Sequence, residues 1–280
     1  MMRDLIRIAS GAAASLILSA GVAAAANWDV SCYETVDLGD TKVPEIESEL
    51  YVLVDQTVAF DSALQKHAFR KVQGFLQPGR RVVLVSFSAY AKGRYAQIEW
   101  RGRLHRDLSE DQRYYIAKDT LEPLDACREK KQARMPRAMA LGLKDIFDGH
   151  SDELPRSEIA SNLARLGSLI VPRTRVSDDV HVLVVSDMME NSETISFYRS
   201  GSLRRLDPEK ALSRVKEGGL LGDLSGMQVS VIGGAYSLRE GYVSAEEIDA
   251  LEDFWQRYIE ESGGELAGFG RPRLEGKILR

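Results

Sequence analysis

Tyr51-Val-Leu-Val-Asp55-Gln-Thr57 and Val182-Leu-Val-Val-Ser186-Asp187-Met-Met-Glu190-Asn191-Ser192 are the stretches from which the fold is read. Each is a β-branched, nearly unbroken apolar run that ends abruptly in polar residues. A half-exposed strand would alternate apolar and polar positions, so runs of this kind suit strands covered on both faces. The full runs are Leu50 to Val54 and Val180 to Val185, and two more, Val82 to Phe87 and Val229 to Ile232, share their character.

Between and after these runs the apolar spacing becomes helical. Phe60, Leu64, Ala68, Val72 and Phe75 form one stripe, and Met135, Met139, Gly142 and Ile146 another. Ile159, Leu163, Leu166 and Ile170 form a third, and Ile248, Leu251, Trp255, Tyr258 and Ile259 the last. Strands alternating with amphipathic helices predict a three-layer α/β fold around a doubly wound, mostly parallel sheet. Ala96 to Trp100 follows the second run after a short polar turn, Tyr90-Ala91-Lys92-Gly93-Arg94, which predicts a hairpin and one antiparallel edge strand. Ser244 and Glu247 make a capping box for the last helix, and Gly263-Gly264 can end it. Phe254 and Trp255 lie on its apolar stripe, as core residues.

The ends of the chain read differently. Arg3 and Arg7 precede the Ala-rich apolar run Ile8 to Ala26, which closes on small residues, the pattern of a cleavable export signal over residues 1–26. Ser10, Gly11, Ser15, Ser19 and Gly21 dilute that run below what a membrane anchor needs, so no anchor is expected after cleavage and the protein should be periplasmic or secreted. Residues 27–48 read as an N-terminal arm, 49–265 as one domain, and 266–280 as a basic or disordered tail. Residues 101–133, rich in charge, and 199–226, rich in Gly, Arg and Leu, are assigned to insertions and mobile loops. The formal charge is −5, and loss of the leader, with Arg3, Asp4 and Arg7, makes it one unit more negative, which disfavours nucleic acid and anionic lipid as partners. An oxidising compartment would allow Cys32 and Cys127 to form a disulfide.

In a doubly wound sheet, ligands bind beyond the carboxyl ends of the strands where the winding reverses. Two such ends carry aspartate, Asp55 and Asp187. A strand ending in Asp-x-Thr with a helix after it, and a later strand ending in Ser-Asp, resemble the von Willebrand factor A fold and its metal-ion-dependent adhesion site. That site combines an Asp-x-Ser-x-Ser loop, a Thr or Ser from a second loop and an Asp from a third. The Ser157-x-Ile159 helix start, Ser186-Asp187-Met-Met-Glu190-Asn191-Ser192, and Phe254-Trp255-Gln-Arg-Tyr258 before Ser262-Gly263-Gly264 look like a divergent bacterial group of such proteins, over about residues 50–264.

The resemblance implies a cation site made of Asp55, Thr57, Ser157 and Asp187, taking Mg²⁺ or Mn²⁺. Ala59 stands where the family has its second loop hydroxyl, which removes one oxygen ligand and weakens the site. Ser157 is alternatively the N-cap of its helix, and strand-end carboxylates alternatively just accept hydrogen bonds from loop amides. The implied function is protein binding, with a partner's carboxylate completing the metal. Two alternatives stand beside it. Asp55-Gln-Thr57 also resembles the nucleophile loop of haloacid dehalogenase-like phosphatases, with Asp187 holding Mg²⁺. The other is a metal-free structural subunit of an envelope assembly.

Other candidates point to ordinary roles. His67, His105, His150 and His181 show no paired metal spacing. The run Arg128 to Arg137 is locally basic and reads as a solvated face, with an acidic partner as the functional option.

Overall fold

A computed structural model describes residues 28–88, 96–150, 157–199, 202–203, 206–236 and 244–279. The expected leader and the expected turn at 90–94 lie outside these residues. In chain order the elements are β1 (Ser48–Asp55), α1 (Ser62–Phe75), β2 (Arg80–Phe87), β3 (Gln97–Leu104), α2 (Glu110–Tyr114), α3 (Lys118–Asp148) and α4 (Ile159–Arg165). A π-helical turn, Leu166–Ile170, joins α4 to α5 (Val171–Thr174). There follow β4 (Asp179–Val185), β5 (Tyr198–Arg199), β6 (Ser202–Leu203), α6 (Pro208–Glu217), β7 (Gln228–Ile232), α7 (Ala245–Glu261) and β8 (Glu265–Phe269).

The main sheet has the order β3-β2-β1-β4-β7-β8, and β5 pairs with β6 in a separate two-stranded sheet. Every neighbouring pair is parallel except β2 with β3, so the expected mixed sheet with one antiparallel edge is present. Because β1 is flanked by β2 on one side and β4 on the other, the winding reverses between β1 and β4. The four apolar runs form the four central strands, and each is buried on both faces.

Alternation along β1 feeds two cores. Tyr51 and Leu53 pack beneath α4, α6 and α7, whereas Leu50, Val52 and Val54 pack beneath α1 and α3. On α7, Leu251, Phe254, Trp255, Tyr258 and Ile259 are all buried. Each such side chain contributes roughly 1.5–3 kcal/mol of transfer free energy before conformational entropy is subtracted. The capping box of α7 forms, with Ser244 and Glu247 bonded to each other's backbone amides.

Three expectations are corrected. Residues 101–133 are not a mobile loop: they complete β3, form α2 and supply the first half of the 31-residue α3. Residues 199–226 carry β6 and the amphipathic helix α6, whose Ala211, Leu212 and Val215 reach the core. The tail is neither free nor outside the sheet, because β8 is its edge strand and Leu274 and Ile278 are buried against α1 and β1. Of the basic run on α3, Arg128 pairs with Asp107 at 2.6 Å and Lys131 donates to the Trp28 carbonyl at 2.9 Å, whereas Lys130, Arg134 and Arg137 are exposed.

The N-terminal arm is fastened twice. Cys32 and Cys127 are disulfide-bonded. Arg81, 2% exposed, makes a two-pronged pair with Asp29 at 2.8 and 2.9 Å and a second pair with Glu49 at 2.8 Å. No helix among the described residues is long and apolar enough to cross a membrane.

Candidate functional site

Strand register assembles the site. Val54 lies opposite Val185, so the next residues, Asp55 and Ser186, emerge side by side at the carboxyl rim where the winding reverses. Both oxygens of Asp55 act as acceptors. Oδ1 receives the Thr57 amide at 2.9 Å and the Thr57 hydroxyl at 2.6 Å. Oδ2 receives the hydroxyls of Ser157 and Ser186, each at 2.8 Å.

Ser157 therefore does not cap α4; Glu158 occupies the N-cap position without a side-chain bond, and the capping expectation is corrected. Asp187 Oδ1 accepts the Met189 amide at 2.9 Å, and its Oδ2 accepts the Tyr198 hydroxyl at 3.0 Å. Asp55, Thr57 and Ser157 are thus directly bonded together, with Asp187 one residue beyond Ser186 and close enough for its charge to feel that of Asp55. Ala59 adds no hydroxyl.

The electrostatics are unusual for a resting surface. Asp55 is 1% exposed and Asp187 3%. Burial drives the Asp55 carboxyl upward against the pull of its donors. Asp187 is pushed up to about 8, by burial first and by the Asp55 charge second. No lysine, arginine or histidine among the described residues forms an ion pair with either carboxylate. A buried carboxylate pair without a cation keeps a proton or attracts one positive ion.

Backbone strain surrounds the same point. Met188 and Ala235 adopt φ of 61° and 57°, a left-handed conformation that only glycine takes readily. The Ala235 amide donates to the Asp187 carbonyl at 2.9 Å, and the Met188 carbonyl accepts the Trp255 indole N–H at 2.7 Å. Two such residues cost about 1–3 kcal/mol each and persist only where surrounding contacts hold them. Ala235→Gly should accordingly raise stability by about 1 kcal/mol, a Tm increase of roughly 2 °C by differential scanning fluorimetry. An unchanged or lower Tm would mean that the turn is not strained.

Three residues of the site escaped the sequence reading. Ser186 stands in the quoted Ser-Asp pair, and its neighbour drew the attention. Tyr198 reaches Asp187 only because the loop after β4 folds back, tied by Phe197 N–H to the Glu190 carbonyl and Asn191 N–H to the Ser157 carbonyl, both at 2.8 Å. Glu190 is fully buried, accepts the Ala160 amide at 2.9 Å and is pushed up to about 7 by burial. The described residues contain no cluster of three His, Cys, Asp or Glu suited to a metal.

No protein-family model matches the chain, and no curated protein matches it in sequence. Among solved structures it is similar to the conserved hypothetical protein BatB from Bacteroides thetaiotaomicron, at 13% identity over 79% of this chain and 88% of that one, with a TM-score of 0.34. The pilus adhesin SpaC from Lactobacillus rhamnosus GG is similar at 14% identity over 79% of this chain and 27% of its own, with a TM-score of 0.39. The minor pilin PilB from Streptococcus sanguinis is similar at 13% identity over 80% of this chain and 63% of its own, with a TM-score of 0.35. Likenesses this remote carry no argument about function.

Proposed function

We propose that this chain is an exported protein-binding module of von Willebrand factor A type, with a weakened divalent-cation site at Asp55, Thr57, Ser157 and Asp187. The observation that carries the reading is a pair of buried carboxylates, without a paired cation among the described residues, surrounded by hydroxyls at the point where the sheet's winding reverses. Thr57 and Ser157 donate their protons to Asp55, so their remaining lone pairs are free to face a positive ion. Hard oxygen donors of this kind suit Mg²⁺ or Mn²⁺. When bound, the ion would supply a positive centre whose open position a carboxylate of a partner protein can complete. Ala59 leaves the set one oxygen short, and reduced affinity follows.

Export to the periplasm or beyond is supported by the leader-like residues 1–26 and by the Cys32–Cys127 bridge, which suits an oxidising compartment. No observation favours the phosphatase alternative: Asp55 is 1% exposed, too deeply buried for a phosphate ester to reach its oxygens.

A thermal-shift titration tests the cation site. Metal-free protein titrated with Mn²⁺ or Mg²⁺ should gain about 2–3 kcal/mol as the ion reaches a hundredfold excess over Kd, a rise of several degrees in Tm. Asp55→Ala should show no metal-dependent rise. A wild-type Tm indifferent to both ions at ~10 mM would remove the cation from the proposal. The metal-free structural subunit would then stand, with partner recovery unchanged in EDTA.

A further inference from the structure

We propose that the cationic groove between the C-terminal half of α1 and the returning tail docks an acidic, partly apolar segment of a partner protein. It lies at the opposite end of α1 from the Asp55 loop and does not depend on the cation site. The tail turns back along α1, where the Leu274 amide donates to His67 Nε2 at 3.2 Å and Lys71 Nζ donates to the Gly276 carbonyl. Between them lies a groove of about 610 Å³, within the size range of small-ligand and peptide pockets.

Arg70, Lys71, Arg80 and Lys277 line this groove, and among the described residues no carboxylate does. That is unusual in a molecule with 42 acidic and 37 basic side chains. Several other cations find carboxylates: Arg271, on the same tail, pairs with Asp249 and Glu252, and Arg113 pairs with Asp107 and Asp125. The four groove cations have no ion pair among the described residues; Arg80 instead lies over the Phe75 ring and donates to the Phe75 carbonyl, and Lys71 holds the tail. The surrounding positive charge is felt at His67, which burial, then Lys71, Arg70 and Arg273, hold below the usual histidine range.

The apolar part of the lining selects the occupant. Half-buried Leu279 and the buried Phe75 and Ile278 make up that part. A bare phosphate would use the charges alone, whereas a peptide alternating acidic and apolar residues satisfies both. Unpaired cations around a concave apolar floor give such a segment electrostatic steering and orientation.

The test uses the intact protein in EDTA, so that the Asp55 site is silent, and a fluorescein-labelled peptide alternating Glu and Leu, followed by anisotropy. Arg70 and Lys277 are exposed. Arg70→Glu combined with Lys277→Glu should weaken binding at least about tenfold at low salt with Tm unchanged, and about 0.5 M NaCl should do the same to the wild type. Lys130→Glu with Arg134→Glu, the same charge change on the exposed face of α3, should leave affinity within about twofold. Absence of saturable binding up to ~1 mM peptide would overturn the proposal. Equal weakening by both double variants would overturn it too, as would equal binding of a Glu-Ser peptide with full displacement by pyrophosphate, which marks a bare-anion site.

Discussion

Freed of divalent cations, the protein should lose stability as the pH rises from about 4 to about 8, and Mn²⁺ should restore it. The expectation follows from Asp187, whose carboxyl is raised from 3.8 to about 8 in the folded chain by burial and by its neighbour Asp55. Between those values the folded state holds a proton that the unfolded state has released. Stability therefore falls with rising pH, by up to ~1.4 kcal/mol per pH unit for one site. The stabilising protonation is complete below about 4 and is lost as the pH passes through the folded value. Glu190, raised to about 7 by burial, adds to the fall in the same direction within the same window.

A cation held at the proposed site would take the place of the proton. The pH slope at saturating Mn²⁺ should flatten, and the apparent Mn²⁺ affinity should climb with pH. Urea unfolding at four pH values, with and without Mn²⁺, measures both. Asp187→Asn removes the Asp187 titration and should leave a shallower fall due to Glu190 and Asp55, both raised by burial. A wild-type slope that is flat, or no steeper than that of Asp187→Asn, would show that Asp187 is not protonated in the folded chain.

The parts of this arrangement legible from sequence are those that depend on strands alone. Leu50 to Val54 and Val180 to Val185 are apolar on both sides because helices cover both faces of the sheet, and their common polar termination puts Asp55 and Asp187 at one rim. Tyr198 was not legible, because its contact with Asp187 depends on how ten intervening residues fold back. The first half of α3 was hidden by its composition. Pro123 and Pro136 lie inside the helix, and each interior proline costs about 3 kcal/mol when nothing offsets it. Buried Leu124, Met135, Met139, Leu143 and Ile146, together with the bridge at Cys127, supply that offset through tertiary contacts, which local spacing does not encode. β8 was missed for a related reason: Glu265-Leu-Ala-Gly-Phe269 is short, weakly β-forming and made a strand by its pairing with β7.

Breaking the Cys32–Cys127 bridge should cost about 4–5 kcal/mol. Closing a loop across a sequence separation of 95 residues removes chain entropy from the unfolded state of about that size. The native state has little strain to release on reduction, since the bridged turn is independently held. Tyr33 donates to the Arg106 carbonyl at 2.7 Å, Asp29 pairs with Arg81, and Cys32 packs with Leu108 and Leu124. Cys32→Ser, Cys127→Ser and the double variant should therefore be destabilised to nearly the same extent in urea unfolding, because the cross-link is lost once in each. Reduction with dithiothreitol should reproduce the change. The rim should be unaffected: α3 reaches it through the Ile146 carbonyl, which accepts the Gln56 side-chain amide at 3.1 Å, some 19 residues and about 28 Å of helix beyond Cys127. The Mn²⁺ response of the cysteine variants at a pH where they remain folded should accordingly match the wild type. A loss below about 1 kcal/mol would mean that the arm is held by the Arg81 ion pairs and its packing alone, and a lost Mn²⁺ response would mean that the two ends of α3 are coupled.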